Sequence, residues 1–255
     1  MRRSVNWVTL AALAALGATP ARLPGVMQFD AVAAISPVRD SPLRLSPPVA
    51  PQTVSSEAGP AALDEMLRDA SGQHQQWPST PELVVLTSVM KYKTGEAREY
   101  VATSELVSAE DTQSLVADLT LALRQLTNDA FVHFATVRYE TVPPGSSVNI
   151  ARPKQIVVGR YKGLHAMAQT LGFGGRSARR DGAITSGAIV LDNEFDRTSE
   201  LRRLLRTHEL GHALGYNHVK SRVSIMNPRI GPELTDFDRQ VVMLAFRRPD
   251  FRSSE

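Results

Sequence analysis

The sequence contains no cysteine among its 255 residues. Disulfide bonds, thiolate metal ligands and a cysteine nucleophile are therefore excluded, as is a lipid anchor attached through a thiol. Aromatic residues make up only 6%, the net charge is only +3, and the basic residues form no stripe interleaved with aromatic ones. These features argue against a nucleic-acid partner. The hydrophobic content of 42% is ordinary for a globular protein with a packed core.

The N-terminus, MRRSVNWVTLAALAALGATPA, has two arginines ahead of an apolar run that is shorter than the ~20 residues of a membrane-spanning helix. Small residues suited to cleavage follow, so residues 1–21 are predicted to be a signal peptide. We expect a secreted or periplasmic protein, of bacterial origin because export is combined with an absence of cysteine, and no stable membrane span after cleavage. An uncleaved membrane anchor is the alternative.

Prolines crowd the next segment, which includes SPVRDSPLRLSPPVAPQ. Proline removes an amide donor and restricts its neighbour, so residues 22–80 are predicted to be a linker or prosegment that is largely disordered. Leu63, Met66 and Leu67 recur at helical spacing and predict one short helix within it. The folded domain is predicted to cover residues 81–255.

Within that domain, apolar patterns predict several strands and helices. Leucines at helical spacing predict a long helix over residues 104–129. The predicted strands are ELVVLTSVMKY, FVHFATVRYE, residues 155–161 and GAIVLD. His133 lies in the second of these strands and is expected to be a half-buried strand side chain. LGFGGRSARRDG is predicted to be a surface turn, because it matches neither glycine-rich phosphate-binding motif.

The stretch HELGHALGYNH places His208 and His212 four residues apart in a helical apolar pattern. On a helix this spacing stacks both rings on one side, where two ring nitrogens can meet one metal ion and Glu209 lies beside them. Gly215 readily takes the left-handed conformation that ends a helix, so that His218 can return to the same ion. Three imidazoles and an open position are typical of a catalytic zinc site. A helix that merely contains histidines would not need the glycine and the third histidine at these offsets.

This stretch resembles the signature HExxHxxGxxH of the metzincin zinc metalloproteases, and the order of elements is most similar to their matrixin-like branch. The resemblance implies an α+β zincin domain, with a twisted, mainly parallel or mixed β-sheet, a long helix, an active-site helix and a C-terminal helix. It implies that Met226, eight residues after His218, forms the methionine turn beneath the metal. It also implies that Pro228 and Ile230 line the pocket for the residue after the scissile bond.

The chain departs from the matrixin pattern in three ways. Only His133 and His165 stand where matrixins carry the histidines of a second, structural zinc, so one zinc is predicted here. A cysteine-based latency switch is impossible. Asn227 follows the methionine where astacin-like and serralysin-like members have tyrosine, so no tyrosine at that position stabilises an oxyanion.

The function implied is that of a secreted zinc endopeptidase acting on peptide or protein substrates. Zinc would polarise the scissile carbonyl and lower the pKa of a bound water molecule, while Glu209 acts as general base. The alternative is a zinc-binding recognition or adhesion protein with little or no turnover. Glu209 argues against it, because a purely structural site has no use for a base beside an open position. The sequence does not indicate the oligomeric state.

Two further patterns flank the motif. Asp192, Glu194 and Asp196 in LDNEFD supply oxygen ligands for a calcium site, which matrixins also hold nearby. The alternative is that these carboxylates only precede a helix and complement its dipole. Thr235 and Asp238 form a pair similar to a capping box ahead of the predicted C-terminal helix.

Overall fold

A computed structural model of the chain describes residues 28–33, 60–69, 72–93, 99–165 and 170–246. The predicted signal peptide, residues 1–21, lies outside these ranges. No helix within them is both long enough and apolar enough to cross a membrane.

The fold is α+β and is built on one mixed sheet of eight strands in the described part of the chain. The strands are β1 (Gln28–Ala33), β2 (Glu82–Leu86), β3 (Ser88–Lys93), β4 (Glu99–Leu106), β5 (Val137–Glu140), β6 (Gln155–Lys162), β7 (Thr170–Ala178) and β8 (Ile184–Asp192). Their order is β1-β7-β8-β6-β2-β5, with β3 beside β6 and β4 beside β3. Strands β5, β2, β6 and β8 run parallel to one another, whereas β7 is antiparallel to both β8 and β1.

The helices that accompany the sheet include α1 (Pro60–Leu67), α2 (Ala109–Leu126), α3 (Asn193–Thr198), α4 (Arg202–Leu214) and α5 (Asp236–Phe246). The long helix predicted over residues 104–129 is present as α2, but it begins five residues later. The Ser108 hydroxyl accepts a hydrogen bond from the Asp111 amide and caps the helix. Residues 104–106 belong instead to β4, and Leu106 is 61% exposed.

The main hydrophobic core lies between the sheet and helices α2 and α4, and it draws on residues ahead of the boundary predicted at residue 81. Met66, Leu67 and Trp77 are all buried in it. The Trp77 indole Nε1 donates a hydrogen bond to the Ala213 carbonyl of α4 at 2.9 Å. Strand β1 also comes from the segment predicted to be linker, and it pairs along the outer edge of β7. Packed structure therefore begins ahead of residue 81.

The prediction of a surface turn at LGFGGRSARRDG was wrong for its first eight residues, which belong to β7. Gly172 and Gly174 lie two residues apart and so face the same side of the strand, toward α4. A Cβ atom at Gly174 would lie 2.2 Å from the Glu209 carbonyl oxygen. The glycines are there because the helix backbone packs directly on the strand, which is one of the few reasons for glycine within a strand.

Two other predicted strands differ in extent. ELVVLTSVMKY is divided at Thr87 into β2 and β3, which pair with different parts of β6. FVHFATVRYE is extended only over Val137–Glu140, and His133 is exposed in the turns before that strand rather than half-buried within it. Phe131 and Phe134 are buried ahead of the strand, whereas its alternating apolar residues, Val137 and Tyr139, are 37% and 55% exposed.

Candidate metal centre

The central part of the site is helix α4, whose residues from Leu205 to Leu214 are all buried. The helix ends at Gly215, which has a left-handed backbone conformation with φ of 118°. A Cβ atom at this position would lie 2.3 Å from the Gln75 carbonyl oxygen, so both conformation and space favour glycine. The turn sends the chain back along the helix to His218, as predicted.

The three histidines of the motif converge. The Nε2 atom of His212 lies 3.0 Å from that of His208 and 3.2 Å from that of His218, and the third distance is 3.3 Å. This is the one group of three or more histidine, aspartate or glutamate side chains in the described ranges that can hold a metal ion.

Hydrogen bonds of the Nδ1 atoms determine the tautomers of His208 and His212. His208 donates from Nδ1 to the Ile225 carbonyl oxygen at 2.7 Å, and His212 donates from Nδ1 to the Tyr216 carbonyl oxygen at 3.0 Å. A carbonyl oxygen only accepts, so Nδ1 carries the proton in both rings and Nε2 presents a lone pair. Burial lowers the pKa of His208 to about 3 and lowers that of His212 well below its usual value. Both rings are therefore neutral at neutral pH, which is the form that binds metal.

The spacing of the nitrogens fits one small divalent ion. A tetrahedral ion with ring nitrogens at about 2.0–2.1 Å sets those nitrogens about 3.3 Å apart. The distances of 3.0, 3.2 and 3.3 Å are close to this value. Converging lone pairs repel one another, and a cation between them removes that repulsion, so these residues fit a metal ion.

Glu209 lies next to His208 on the same helix and is completely buried. Strand β7 covers its side chain at Gly172, where an added Cβ atom would lie 2.6 Å from Oε1. A carboxylate in this position can accept a proton from a group held at the histidine cluster.

Met226 is completely buried and packs against α4 at Gly211, between the two helical histidines. A Cβ atom at Gly211 would lie 2.5 Å from the Met226 sulfur, so the side chain fills the space that glycine leaves. The Met226 carbonyl accepts a hydrogen bond from the Val219 amide at 2.8 Å, next to His218. Met226 therefore packs against α4 next to His212, and its role as the methionine turn stays a prediction. The Asn227 side chain closes the same turn by donating to the Val219 carbonyl at 2.7 Å.

Asp238 supports the cluster from α5, a role that the sequence reasoning missed. Its buried carboxylate accepts hydrogen bonds from the Ser224 hydroxyl and from the Ile225 amide. The carbonyl of Ile225 in turn holds His208. Asp238 also completes the predicted capping box, since it accepts from the Thr235 amide at 2.8 Å while its own amide donates to the Thr235 hydroxyl at 3.2 Å. The cap was visible in the sequence, but the contact with the ligand support was not.

Pro228 and Ile230 line one cavity of about 380 Å³ just beyond the methionine turn. Lys220, Asn227, Arg229 and Gly231 complete its lining. Contact of this cavity with a substrate remains a prediction.

The carboxylates proposed for calcium do not converge. Asp192 caps α3 through the Glu194 and Phe195 amides, and Glu194 itself is exposed. Asp196 instead binds two arginines, Arg160 and Arg206, whose charges exclude a cation. The calcium hypothesis was therefore wrong in its ligand set, and the alternative of helix-leading carboxylates describes Asp192 correctly.

The histidines considered for a second zinc lie outside the cluster. His133 and His165 are both exposed, and neither belongs to a group of metal-binding side chains in the described residues.

No protein-family model matches the chain, and no curated protein matches its sequence. Among solved structures, the chain is similar to a crystal structure of metalloproteinase-II from Bacteroides fragilis, with 14% sequence identity and a TM-score of 0.36. The match covers 69% of this chain and 55% of the other, so the chain spans about half the length of that protein. A similarity this distant does not transfer a function.

Proposed function

We propose that the chain is a secreted zinc-dependent endopeptidase that hydrolyses peptide bonds, with Glu209 as general base. One observation supports this most strongly: three histidine Nε2 atoms lie 3.0–3.3 Å apart, beside a buried carboxylate on the same helix. Together with the motif HELGHALGYNH and the buried Met226, it supports the proposal of a metzincin. The matrixin-like branch is proposed only from the resemblance of the sequence.

The ligand set favours zinc and a catalytic site. Imidazole nitrogens suit zinc, copper, iron and nickel, and hard ions such as calcium prefer oxygen ligands. Structural zinc sites are closed by four protein ligands, whereas catalytic ones keep a position for water or substrate. In the described ranges the cluster contains three residues and no fourth histidine, aspartate or glutamate. The fourth position is therefore left to a reactant.

The histidines and Glu209 have separate tasks in this proposal. A bound zinc ion supplies Lewis-acid chemistry, which polarises the scissile carbonyl and lowers the pKa of water. Glu209 takes the proton from the attacking water and later delivers it to the nitrogen of the leaving amine. The carbonyls of Ile225 and Tyr216 hold the rings of His208 and His212, so the ligand geometry does not have to reorganise during the reaction.

The proposed substrate is a peptide or protein chain. The cavity lined by Pro228 and Ile230 is the proposed subsite for one of its side chains. Export through residues 1–21 and the role of residues 22–80 as a linker or prosegment also stay proposals. Met66 and Leu67 of helix α1, which lies within the latter segment, are buried in the core.

The test compares the full chain with Glu209→Gln, and uses Glu194→Gln as a matched control because Glu194 is exposed and lies outside the cluster. Each protein is incubated with a mixed peptide library, with and without a zinc chelator, and the products are identified by mass spectrometry. We expect Glu209→Gln to retain one zinc per chain and to lose about 10²–10⁴-fold in cleavage rate, while the control behaves like the wild type.

A wild-type protein that binds zinc but cleaves no peptide would favour the recognition or adhesion protein. Unchanged cleavage by Glu209→Gln would contradict the proposed role of the carboxylate.

A further inference from the structure

Arg176 is a fully buried cation on β7, only 2% exposed, that contacts the loop between two ligands of the proposed metal site. Its Nη1 donates to the His212 carbonyl at 3.0 Å and to the Tyr216 carbonyl at 3.2 Å. Its Nη2 donates to the Asn217 side-chain oxygen at 2.8 Å. These three acceptors follow one another through the turn that leads from His212 to His218.

The Tyr216 carbonyl joins Arg176 to a metal ligand. This oxygen also accepts the Nδ1 hydrogen of His212 at 3.0 Å. One carbonyl therefore receives two donors, and the guanidinium fixes the position of the oxygen that sets the tautomer and the orientation of the ring. Groups that hydrogen-bond directly to a metal ligand, as the Tyr216 carbonyl does, commonly tune metal affinity. Arg176 acts on the proposed ligand through this carbonyl.

Asn217 extends the same support to the third ligand. Its side-chain oxygen accepts from Arg176, its side-chain nitrogen donates to the Arg68 carbonyl at 2.9 Å, and its backbone amide donates to the Met66 carbonyl at 2.9 Å. The next residue is His218. The position of His218 is thus set from β7 on one side and from the end of α1 on the other.

We infer that Arg176 is a positioning residue of the metal centre, which holds the turn between His212 and His218 so that both ring nitrogens meet the same ion. This inference rests on the proposed function. The positive charge of Arg176 repels a metal cation, so its contribution is geometric: the planar fork reaches several acceptors at once, and a lysine ammonium at the same place does not.

Charge and geometry are separated by Arg176→Lys, which keeps the charge, and Arg176→Gln, which removes it. Both are made in the full chain, with Arg160→Lys as control, because Arg160 is equally buried but binds Asp196 away from the histidine cluster. Zinc affinity is measured by competition with a chromophoric chelator, and the visible spectrum of the cobalt-substituted protein reports the ligand geometry. Unfolding of the metal-free proteins is measured in parallel.

Both Arg176 variants are expected to bind zinc about 10- to 100-fold more weakly and to show an altered cobalt spectrum. The Arg160 control is expected to lose stability only. Wild-type zinc affinity and cobalt spectrum in Arg176→Lys would overturn the inference, as would tighter zinc binding in Arg176→Gln, since that is the result of a purely electrostatic effect.

If the Arg176 variants do not fold, Asn217→Ala removes the side-chain oxygen that accepts a hydrogen bond from Arg176. Asn217 is only half-buried, so this variant is more easily tolerated. It is expected to show the same direction of change in zinc affinity, and unchanged affinity would overturn the inference. A wild-type protein that binds no metal would instead refute the proposed function. The wild type could bind zinc and cleave peptides while Arg176→Lys binds zinc equally well. That result would refute this inference and leave the proposed function standing.

Discussion

Two glycines of β7 offer a matched pair of substitutions, Gly172→Ala and Gly174→Ala, with different expected consequences. Neither glycine has a positive φ, so alanine fits the backbone conformation of both, and only the available space distinguishes them. At Gly172 the three nearest neighbours of an added Cβ atom all belong to the Glu209 side chain. At Gly174 the Cβ atom would lie 2.2 Å from the Glu209 carbonyl oxygen and 2.7 Å from the His212 Cβ atom.

The magnitudes follow from which atoms have to move. The backbone of α4 cannot rotate away, so Gly174→Ala forces strand and helix apart by about 1 Å. Such overpacking costs about 1–3 kcal/mol, which lowers the melting temperature by about 2–12 °C in a domain of this size. Gly172→Ala instead displaces the Glu209 carboxylate, since a side chain gives way more easily than a helix. A misplacement of about 1 Å costs about 100-fold in rate.

The assays are thermal unfolding of the metal-free protein, chelator competition for zinc and peptide cleavage. Gly172→Ala is expected to keep its melting temperature and its zinc affinity while it loses cleavage. Gly174→Ala is expected to lose melting temperature and zinc affinity together. Equal losses of stability in both variants, or normal cleavage by Gly172→Ala, would refute the packing of β7 on Glu209.

Three further predictions concern other parts of the site. Asp196→Ala leaves Arg160 and Arg206 buried without the carboxylate that they share. The free energy of unfolding, measured in urea, should fall by about 3–5 kcal/mol. A loss below ~1 kcal/mol would show that the arginines find other partners. Met226→Ala should lower the free energy of unfolding by about 2–5 kcal/mol and weaken zinc binding. The volume-conserving Met226→Leu should lower the free energy of unfolding by less than about 1.5 kcal/mol. Equal losses of stability in the two variants would contradict a packing role. In the metal-free protein, the unfolded chain protonates His208 near its ordinary pKa of 6.5 while burial keeps the folded pKa at about 3, so stability should fall as the pH drops from 6.5 toward 3. A flat profile between pH 6.5 and 5, where carboxylates are still ionised, would contradict this pKa.

The convergence of His208, His212 and His218 was predictable from the sequence because their spacing is local. His208 and His212 are one helical turn apart, and Gly215 ends that helix as its position in the motif predicts. The capping pair of Thr235 and Asp238 is equally local and was also predicted correctly. In each case the structure depends on residues within a few positions of one another.

The residues that hold the histidine cluster in place were not predictable, because they come from distant parts of the chain. Arg176 reaches His212 from 36 positions away, and Gln75, whose side chain accepts a hydrogen bond from the Nε of Arg176, is more than a hundred positions from it. Strand β7 was missed since its glycines have low strand propensity, although their alternation at positions 172 and 174 was a usable sign of close backbone approach. Strand β1 was missed because prolines dominate the segment around it.

The most direct test of the metal centre is X-ray absorption at the zinc edge on the purified full chain, combined with metal analysis. We predict one zinc per chain, bound by three imidazole nitrogens at about 2.0–2.1 Å and one further oxygen from water. Loss of one nitrogen ligand from the spectrum is predicted for His218→Ala. A protein that takes up no zinc, or a zinc ion whose environment does not change in His218→Ala, would contradict the three-histidine centre.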